Sequence, residues 1–211
     1  VNLQTRNLAD NANVAGAIQY ADATGFDVAA IASTSNVTLA ATGAVMQSGA
    51  IAATGLALNG TGGAYTLDHA GNAVTTLAAN TGSVNYRQSG TLIVGTVSGV
   101  SGVSTTGTTQ IETTGAAANL TLNNAVTSGA TGDAIILKAG SDNAAGVSTG
   151  GQLVNNVGTG GIVASSGRYL AYSGDPDSTT EGVTGYAKRY NADKTFVPSS
   201  TTASTFIYRI A

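Results

Sequence analysis

The sequence predicts an all-β chain wound as a parallel β-helix, in which each strand pairs with the equivalent strand one coil further along. Short runs with apolar side chains at alternate positions recur through the chain and are separated by Gly, Asn, Ser and Thr. This pattern is typical of half-buried strands joined by turns. Helix signals are weak, because Gly is frequent and Thr, Val and Asn are poor helix formers.

Seven runs carry the strand prediction. They are NVTLA (36–40), GLALN (55–59), AYTLD (64–68), SVNYR (83–87), TLIVG (91–95), NLTLN (119–123) and AIILK (134–138).

The spacing of apolar residues favours a β-helix over a sandwich or a barrel. Apolar residues recur at nearly even intervals, with one longer gap before Ile135, at Val37, Leu56, Val74, Leu92, Ile111, Ile135 and Leu153. This spacing predicts coils of about 18–20 residues over a shaft at 31–164. Trp is absent and only four aromatic residues precede residue 165, which is typical of such a coil because its narrow interior favours Val, Ile, Leu and Ala over Trp and Phe.

The two ends of the chain differ from the shaft. Residues 165–211 contain seven of the eleven aromatic residues, both prolines and nine of the 19 charged residues. We therefore expect a C-terminal cap or adapter module there, with a small aromatic core of its own. Residues 1–30 have weaker periodicity and are predicted to form an initial coil or an adapter.

Composition excludes several classes of function. Eight basic residues scattered over a chain of net charge −3 make no phosphate-binding surface, so we expect no nucleic-acid partner. No apolar run is long enough to predict a transmembrane segment. Cysteine is absent, which excludes disulfides and thiolate metal sites. The low charge, together with a first residue that is not Met, favours a processed or excised piece of a secreted bacterial surface protein.

One long stretch carries a family resemblance. Residues 72–97, NAVTTLAANTGSVNYRQSGTLIVGTV, resemble a repeat of filamentous-haemagglutinin-like exoproteins of the two-partner secretion type. The matching positions are Asn72, Val74, Leu77, Ala78, Gly82, Val84, Tyr86, Leu92, Val94, Gly95 and Val97. GRYLAYSGDP (167–176) and TFIYRIA (205–211) are similar to the segment that follows the repeats in those proteins.

The resemblance implies a right-handed β-helical shaft that is exported through an outer-membrane secretion partner and acts as an adhesin at the bacterial cell surface. The expected function is non-catalytic attachment to a host cell, a neighbouring cell or a matrix polysaccharide, including biofilm cohesion. The family's amino-terminal secretion domain with Asn-Pro turns is missing, since no proline precedes Pro176. The alternative function is a subunit of a homopolymeric extracellular filament, assembled by end-to-end stacking of β-helices.

No catalytic or cofactor-binding residue is predicted. His69 is the only histidine and no Gly-x-Ser-x-Gly motif supplies a nucleophile. The one candidate metal site is a calcium site formed by Asp175, Asp177 and Glu181, since calcium binds oxygen ligands held in a loop. The alternative interpretation of this segment is a turn, because Pro and Asp are both typical of turns.

The candidate binding patch consists of Tyr186, Lys188, Arg189 and Tyr190, because aromatic and cationic side chains are common at recognition surfaces. The alternative is that the tyrosines fill the core of the C-terminal module while the charged groups stay solvated.

Two further functions are minor alternatives. A polysaccharide-cleaving enzyme would use Asp133, Lys138 and Asp142, with Arg87 or Glu112 brought close by stacking of coils. An ice-binding face would need a Thr-x-Thr pair repeated in successive coils, and the pair at 106–108 has no matching pair one period away.

Overall fold

The structure, a computed structural model, describes residues 1–147, 149–199 and 201–211. Every regular element in those ranges is a β-strand. Nineteen of the 21 strands join one sheet, and the other two form a small antiparallel hairpin. The prediction of an all-β fold with extensive parallel pairing is therefore confirmed. The described residues contain no helix that could cross a membrane.

The strands are numbered in chain order. The first seven are β1 (Asn2–Gln4), β2 (Ile18–Asp22), β3 (Phe26–Val28), β4 (Ala30–Ala32), β5 (Asn36–Ala41), β6 (Ala44–Gln47) and β7 (Ile51–Leu67). The next seven are β8 (Ala73–Gln88), β9 (Leu92–Val94), β10 (Thr96–Val97), β11 (Val100–Ser101), β12 (Val103–Thr105), β13 (Thr109–Thr113) and β14 (Leu120–Leu122). The last seven are β15 (Val126–Ser128), β16 (Asp133–Lys138), β17 (Leu153–Asn155), β18 (Ile162–Ala164), β19 (Arg168–Ser173), β20 (Ala187–Arg189) and β21 (Thr205–Tyr208).

One series of parallel pairings, here called the long ladder, carries the candidate site. It passes in order through β3, β6, β7, β8, β13, β16, β19, β21 and β20. The hydrogen-bonded neighbours in this ladder are distant in sequence. The ladder therefore places residues from many parts of the chain side by side on one surface.

Alternate residues of the ladder strands form the core. Four strands of the ladder each contribute one fully buried, inward-pointing residue: Tyr65, Tyr86, Ile111 and Leu137. The residues immediately before and after each of these in its strand face outward. This is the period-two alternation expected of a strand with one buried face. The aromatic rings of the C-terminal residues 169, 206 and 208 belong to the same core.

The spacing of paired residues is less regular than the sequence predicts. Val37 pairs with Leu56 as expected, but Leu56 pairs with Leu77 and not with Val74. Later partners, such as Ile135 and Tyr169, lie much further apart in sequence. The predicted coil length is therefore wrong for the later pairings. Segments inserted between strands, such as the β10–β11 hairpin and the connection from β16 to β17, account for the added length.

Neighbouring turns approach closely where glycine removes the side chain. A Cβ atom on Gly43 would lie 1.4 Å from the carbonyl oxygen of Thr24. At Gly60 the φ angle is +118° and a Cβ atom would lie 1.9 Å from the carbonyl oxygen of Ala41. Only glycine fits these two positions without displacing the adjacent backbone.

The C-terminal segment continues the long ladder and then folds back over it. β19 pairs with β16, and β21 pairs with β19. Ala192 and Phe196 pack on the outer face of these strands against Leu170, Tyr172 and Ile207. A second, smaller apolar cluster thus covers the outer face at this end of the ladder, whereas the outer face of β8 and β13 carries polar side chains.

Candidate functional site

The outer face of β8, β13 and β16 collects polar side chains in two rows. One row consists of Asn85 and Gln110 and ends at the apolar Ile136, and the three residues occupy the same register position in successive strands. Two positions further along each strand, a second row consists of Arg87, Glu112 and Lys138. The enzymatic alternative expected stacking of strands to bring Arg87 or Glu112 close to Lys138, and the structure does place these three residues side by side.

A groove of about 330 Å³ lies along the first row. Its lining residues are Tyr65, Thr66, Ser83, Val84, Asn85, Thr108, Thr109, Gln110, Asp133 and Ile136. Within the described part of the chain, the side chains of Thr66, Ser83, Asn85, Thr108 and Gln110 form no hydrogen bonds with protein groups. Their hydroxyl and amide groups are available to donate hydrogen bonds to a ligand and to accept them.

Asp133 at the edge of the groove is neutralised by an arginine on the next strand. Arg168 Nε lies 2.5 Å from Asp133 Oδ1, and the arginine is only 3% exposed. Among the described residues, Arg168 Nη1 has no hydrogen-bond partner. The groove thus carries an internally paired carboxylate and little net charge.

The residues of the enzymatic alternative are engaged with different partners. Lys194 Nζ lies 2.7 Å from Asp142 Oδ1 and 3.8 Å from Glu112 Oε1. Lys138 Nζ lies 5.7 Å from the centre of the Tyr172 ring. Asp133, Lys138 and Asp142 therefore do not converge as one acid–base group, because each one faces a different neighbour.

The predicted calcium ligands do not come together. The backbone N–H of Asp177 and the hydroxyl of Ser178 donate to the carboxylate of Asp175, which closes a turn. Glu181 instead binds two tyrosines and a lysine. No group of three His, Cys, Asp or Glu side chains within the described ranges could hold a metal ion. The segment that starts at Asp175 forms the turn that was the alternative interpretation.

The predicted binding patch is divided between two faces of β20. Lys188 pairs in register with Phe206, a core residue, and therefore points inward. Arg189 pairs with Ile207 and points outward, where its guanidinium carbon lies 4.9 Å from the centre of the Phe196 ring. Tyr186 packs at a tilt on the core ring of Phe206, with ring centres 4.7 Å apart, and Tyr190 stacks on the Tyr208 ring at 5.5 Å. Arg189 thus lies on the opposite face from the other three residues.

Four residues form a polar group at the end of the long ladder, here called the Glu181 cluster: Glu181, Tyr186, Lys188 and Tyr208. Both tyrosine hydroxyls donate to the Glu181 carboxylate, and Lys188 Nζ lies 2.7 Å from Glu181 Oε1. The ammonium group also lies 5.7 Å from the centre of each tyrosine ring. The hydrogen bond to Glu181 raises the pKa of Lys188, and burial raises the pKa of Tyr208.

Sequence reasoning missed Glu181 as the partner of Lys188 and assigned it to calcium. The two residues do not share a strand, so no periodic pattern connects them. His69 is exposed at a turn, and its Nδ1 accepts a hydrogen bond from the backbone N–H of Gly71.

No protein-family model, no curated protein and no solved structure matches this chain. The resemblance to filamentous-haemagglutinin-like exoproteins therefore stays a prediction.

Proposed function

We propose that this chain is a structural and adhesive segment of a secreted bacterial cell-surface exoprotein, folded as a right-handed parallel β-helix and without catalytic activity. The observation that carries the proposal is the long ladder, which runs without interruption from β3 to β20 through nine strands. Such a ladder suits a shaft that holds attachment surfaces away from the cell.

The ladder explains how the shaft would bear load. At roughly 4.8 Å per strand, nine strands span about 40 Å. Each strand is hydrogen-bonded to its neighbours, and the apolar interior continues from one strand to the next. In an architecture of this kind, stability is approximately a sum of contacts between neighbouring repeats.

The groove supports an adhesive role and indicates a class of partner. Five side chains in the groove can both donate and accept hydrogen bonds, and the one carboxylate among its lining residues is paired with Arg168. A surface with these properties suits the hydroxyl groups of a polysaccharide on a host cell, on a neighbouring cell or in a matrix. Extracellular location rests on the composition and on the family resemblance, and an outer-membrane secretion partner rests on the resemblance alone; both are part of the proposal.

Two separate measurements test this function, one of the shape of the particle and one of its attachment to polysaccharide. Small-angle X-ray scattering of the wild-type chain is expected to show an elongated particle, and a spherical particle would contradict the shaft. Beads coated with the chain are expected to attach to polysaccharide-coated surfaces more often than beads coated with an inert protein.

A pair of double variants tests whether the groove mediates attachment. Asn85→Ala/Gln110→Ala removes two free amides from the groove and is expected to lower bead attachment at least several-fold. The matched control is Asn80→Ala/Ser104→Ala, which changes two exposed polar residues that pair in register on β8 and β12. Equal attachment by the two double variants would exclude the groove as the adhesive surface.

One observation favours the filament alternative. β1, β2 and β3 each pair with one strand only, so their outer edges have no strand partner within the described residues. An unpaired edge can accept a strand from another molecule. Filaments of constant width in negative-stain micrographs across a concentration series would support this alternative, and a monodisperse monomer would support the shaft.

A further inference from the structure

The two ends of the long ladder differ in the chemistry of their inward-facing residues. At the N-terminal end, Tyr20 and Phe26 pack against the core with their ring centres 4.8 Å apart. Ile18 also packs on the core from the neighbouring edge strand. This end exposes apolar side chains and unpaired strand edges together, which is the combination that another coil would cover.

The C-terminal end carries a charge at the equivalent position. β20 pairs only with β21 and is the last strand of the ladder. Its residue Lys188 lies opposite core residue Phe206 and hence on the inner side of the strand. The Glu181 carboxylate, which is 18% exposed, lies directly against the ammonium group.

Stacking a second copy on this end would bury that ion pair. The first strand of the ladder is β3, whose inward residues Phe26 and Val28 belong to or pack on the core. If the inward face of β3 in the second copy aligned with the inward face of β20, one of these apolar side chains would lie against Lys188. Removing a lysine and a glutamate from water is costly unless new polar partners replace the water, and the inward side chains of β3 offer none.

We propose that the Glu181 cluster is a cap that prevents the C-terminal end of the ladder from pairing with the N-terminal end of a second copy. An inward-pointing charge on an edge strand is one of the ways in which β proteins avoid edge-to-edge association. The proposal rests on the β-helix of the proposed function. It adds that this end is closed, so that the unmodified chain does not polymerise.

The test neutralises the cap while preserving its shape. In the double variant Glu181→Gln/Lys188→Met, the Gln carbonyl can still accept a hydrogen bond from a tyrosine hydroxyl. The matched control is Arg189→Met, which removes a charge from the same strand on the opposite face. Light scattering coupled to size-exclusion chromatography is expected to give the monomer mass of 20.6 kDa for the wild type and the control. The double variant is expected to show a mass at least twice as large that rises with concentration.

A third substitution identifies the contact. Adding Phe26→Asp to the double variant places an inward charge on β3, at the opposite end of the ladder, and is expected to restore the monomer mass. Association that persists in this triple variant would overturn the proposal, because the contact would not be end to end. A double variant that remains monomeric at every concentration would also overturn it, as would a wild-type chain that associates equally well.

Folding of each variant is checked by far-ultraviolet circular dichroism. If the double variant does not fold, Glu181→Gln/Lys188→Gln replaces it, since this variant removes both charges and keeps a polar side chain at each position. The same result is expected of the replacement variant, and the same results would overturn the proposal. The shaft itself is tested on the wild type by particle shape and bead attachment, so failure of the cap and failure of the proposed function remain distinguishable.

Discussion

Arg209 Nη1 donates a hydrogen bond to the backbone carbonyl of Ala139 at 2.9 Å, although the two lie far apart in sequence. The same guanidinium donates to the carbonyls of Gly140, Gly150 and Gly151. Arg209 is 3% exposed, and no carboxylate among the described residues forms an ion pair with it. Burial lowers its pKa. The charge is thus met by backbone dipoles, and the end of the chain is fixed to the connection between β16 and β17.

Arg209→Met is expected to destabilise the chain by about 2–4 kcal/mol, because it leaves buried carbonyl oxygens without a donor. Urea unfolding followed by circular dichroism measures the change. Arg189→Met, which alters an exposed arginine on β20, is the control and is expected to change stability by less than about 1 kcal/mol. Equal losses in the two variants would contradict the role assigned to Arg209.

Asn72 provides a second test of buried hydrogen bonding. Its side-chain oxygen accepts from the backbone N–H of Ile51 at 2.9 Å, and its amide nitrogen donates to the carbonyls of Leu67 and Arg87 at 3.1 and 3.0 Å. Asn72→Ala is expected to cost about 2–3 kcal/mol, because it leaves these groups unpaired. Asn85→Ala removes an outward amide that has no partner among the described residues and is expected to be nearly neutral. The prediction fails if both variants have the same urea midpoint.

Local patterns predict the strands well because alternation depends only on neighbouring residues. The run at Asn36–Ala41 alternates between half-buried and buried residues as its sequence indicates. Pairing partners are harder to predict, since Leu56 could pair with Val74 or Leu77 and both are apolar. The inserted segments change the spacing, and nothing in the alternation reveals their length.

The polar contacts of the C-terminal segment cannot be predicted from residues that are neighbours in the sequence. No alternating apolar run marks β20, so the opposite directions of Lys188 and Arg189 are not evident from the sequence. The contacts of Lys188 with Glu181 and of Arg209 with Ala139 depend on how distant segments stack. The row of Arg87, Glu112 and Lys138 is the exception, because stacking of equivalent strands brings such residues together.

Close packing between turns gives a prediction for glycine. Gly43→Ala would place a Cβ atom 1.4 Å from the Thr24 carbonyl oxygen and must displace that backbone. We expect a loss of about 2–3 kcal/mol, as for other substitutions that overfill a packed site. Gly90→Ala is the control, because its Cβ atom would lie 3.9 Å from the nearest atom and its φ angle is not positive. Thermal unfolding that shows a similar loss for both variants would refute the steric argument.

The buried tyrosines predict how stability depends on alkaline pH. Burial raises the pKa of Tyr65, Tyr169 and Tyr172 to about 12, from an ordinary value of about 10. The folded state therefore favours the neutral phenol. The buried neutral phenols contribute their full stabilisation below about pH 10. This stabilisation is lost as the pH rises through about 12. Tyrosinate absorbance from these residues is expected to appear together with the loss of the circular dichroism signal.

Two variants separate the effects of the buried hydroxyls. The Tyr169 hydroxyl is buried and, among the described residues, has no hydrogen-bond partner. Tyr169→Phe is therefore expected to stabilise the chain at neutral pH by about 1 kcal/mol and to move alkaline unfolding to higher pH, since an unpaired buried hydroxyl is unfavourable. The Tyr65 hydroxyl instead lies within hydrogen-bond distance of the carbonyls of Leu39 and Asn59, so Tyr65→Phe is expected to lower stability at neutral pH. Urea unfolding at neutral pH that ranks Tyr169→Phe below Tyr65→Phe would contradict the assignment.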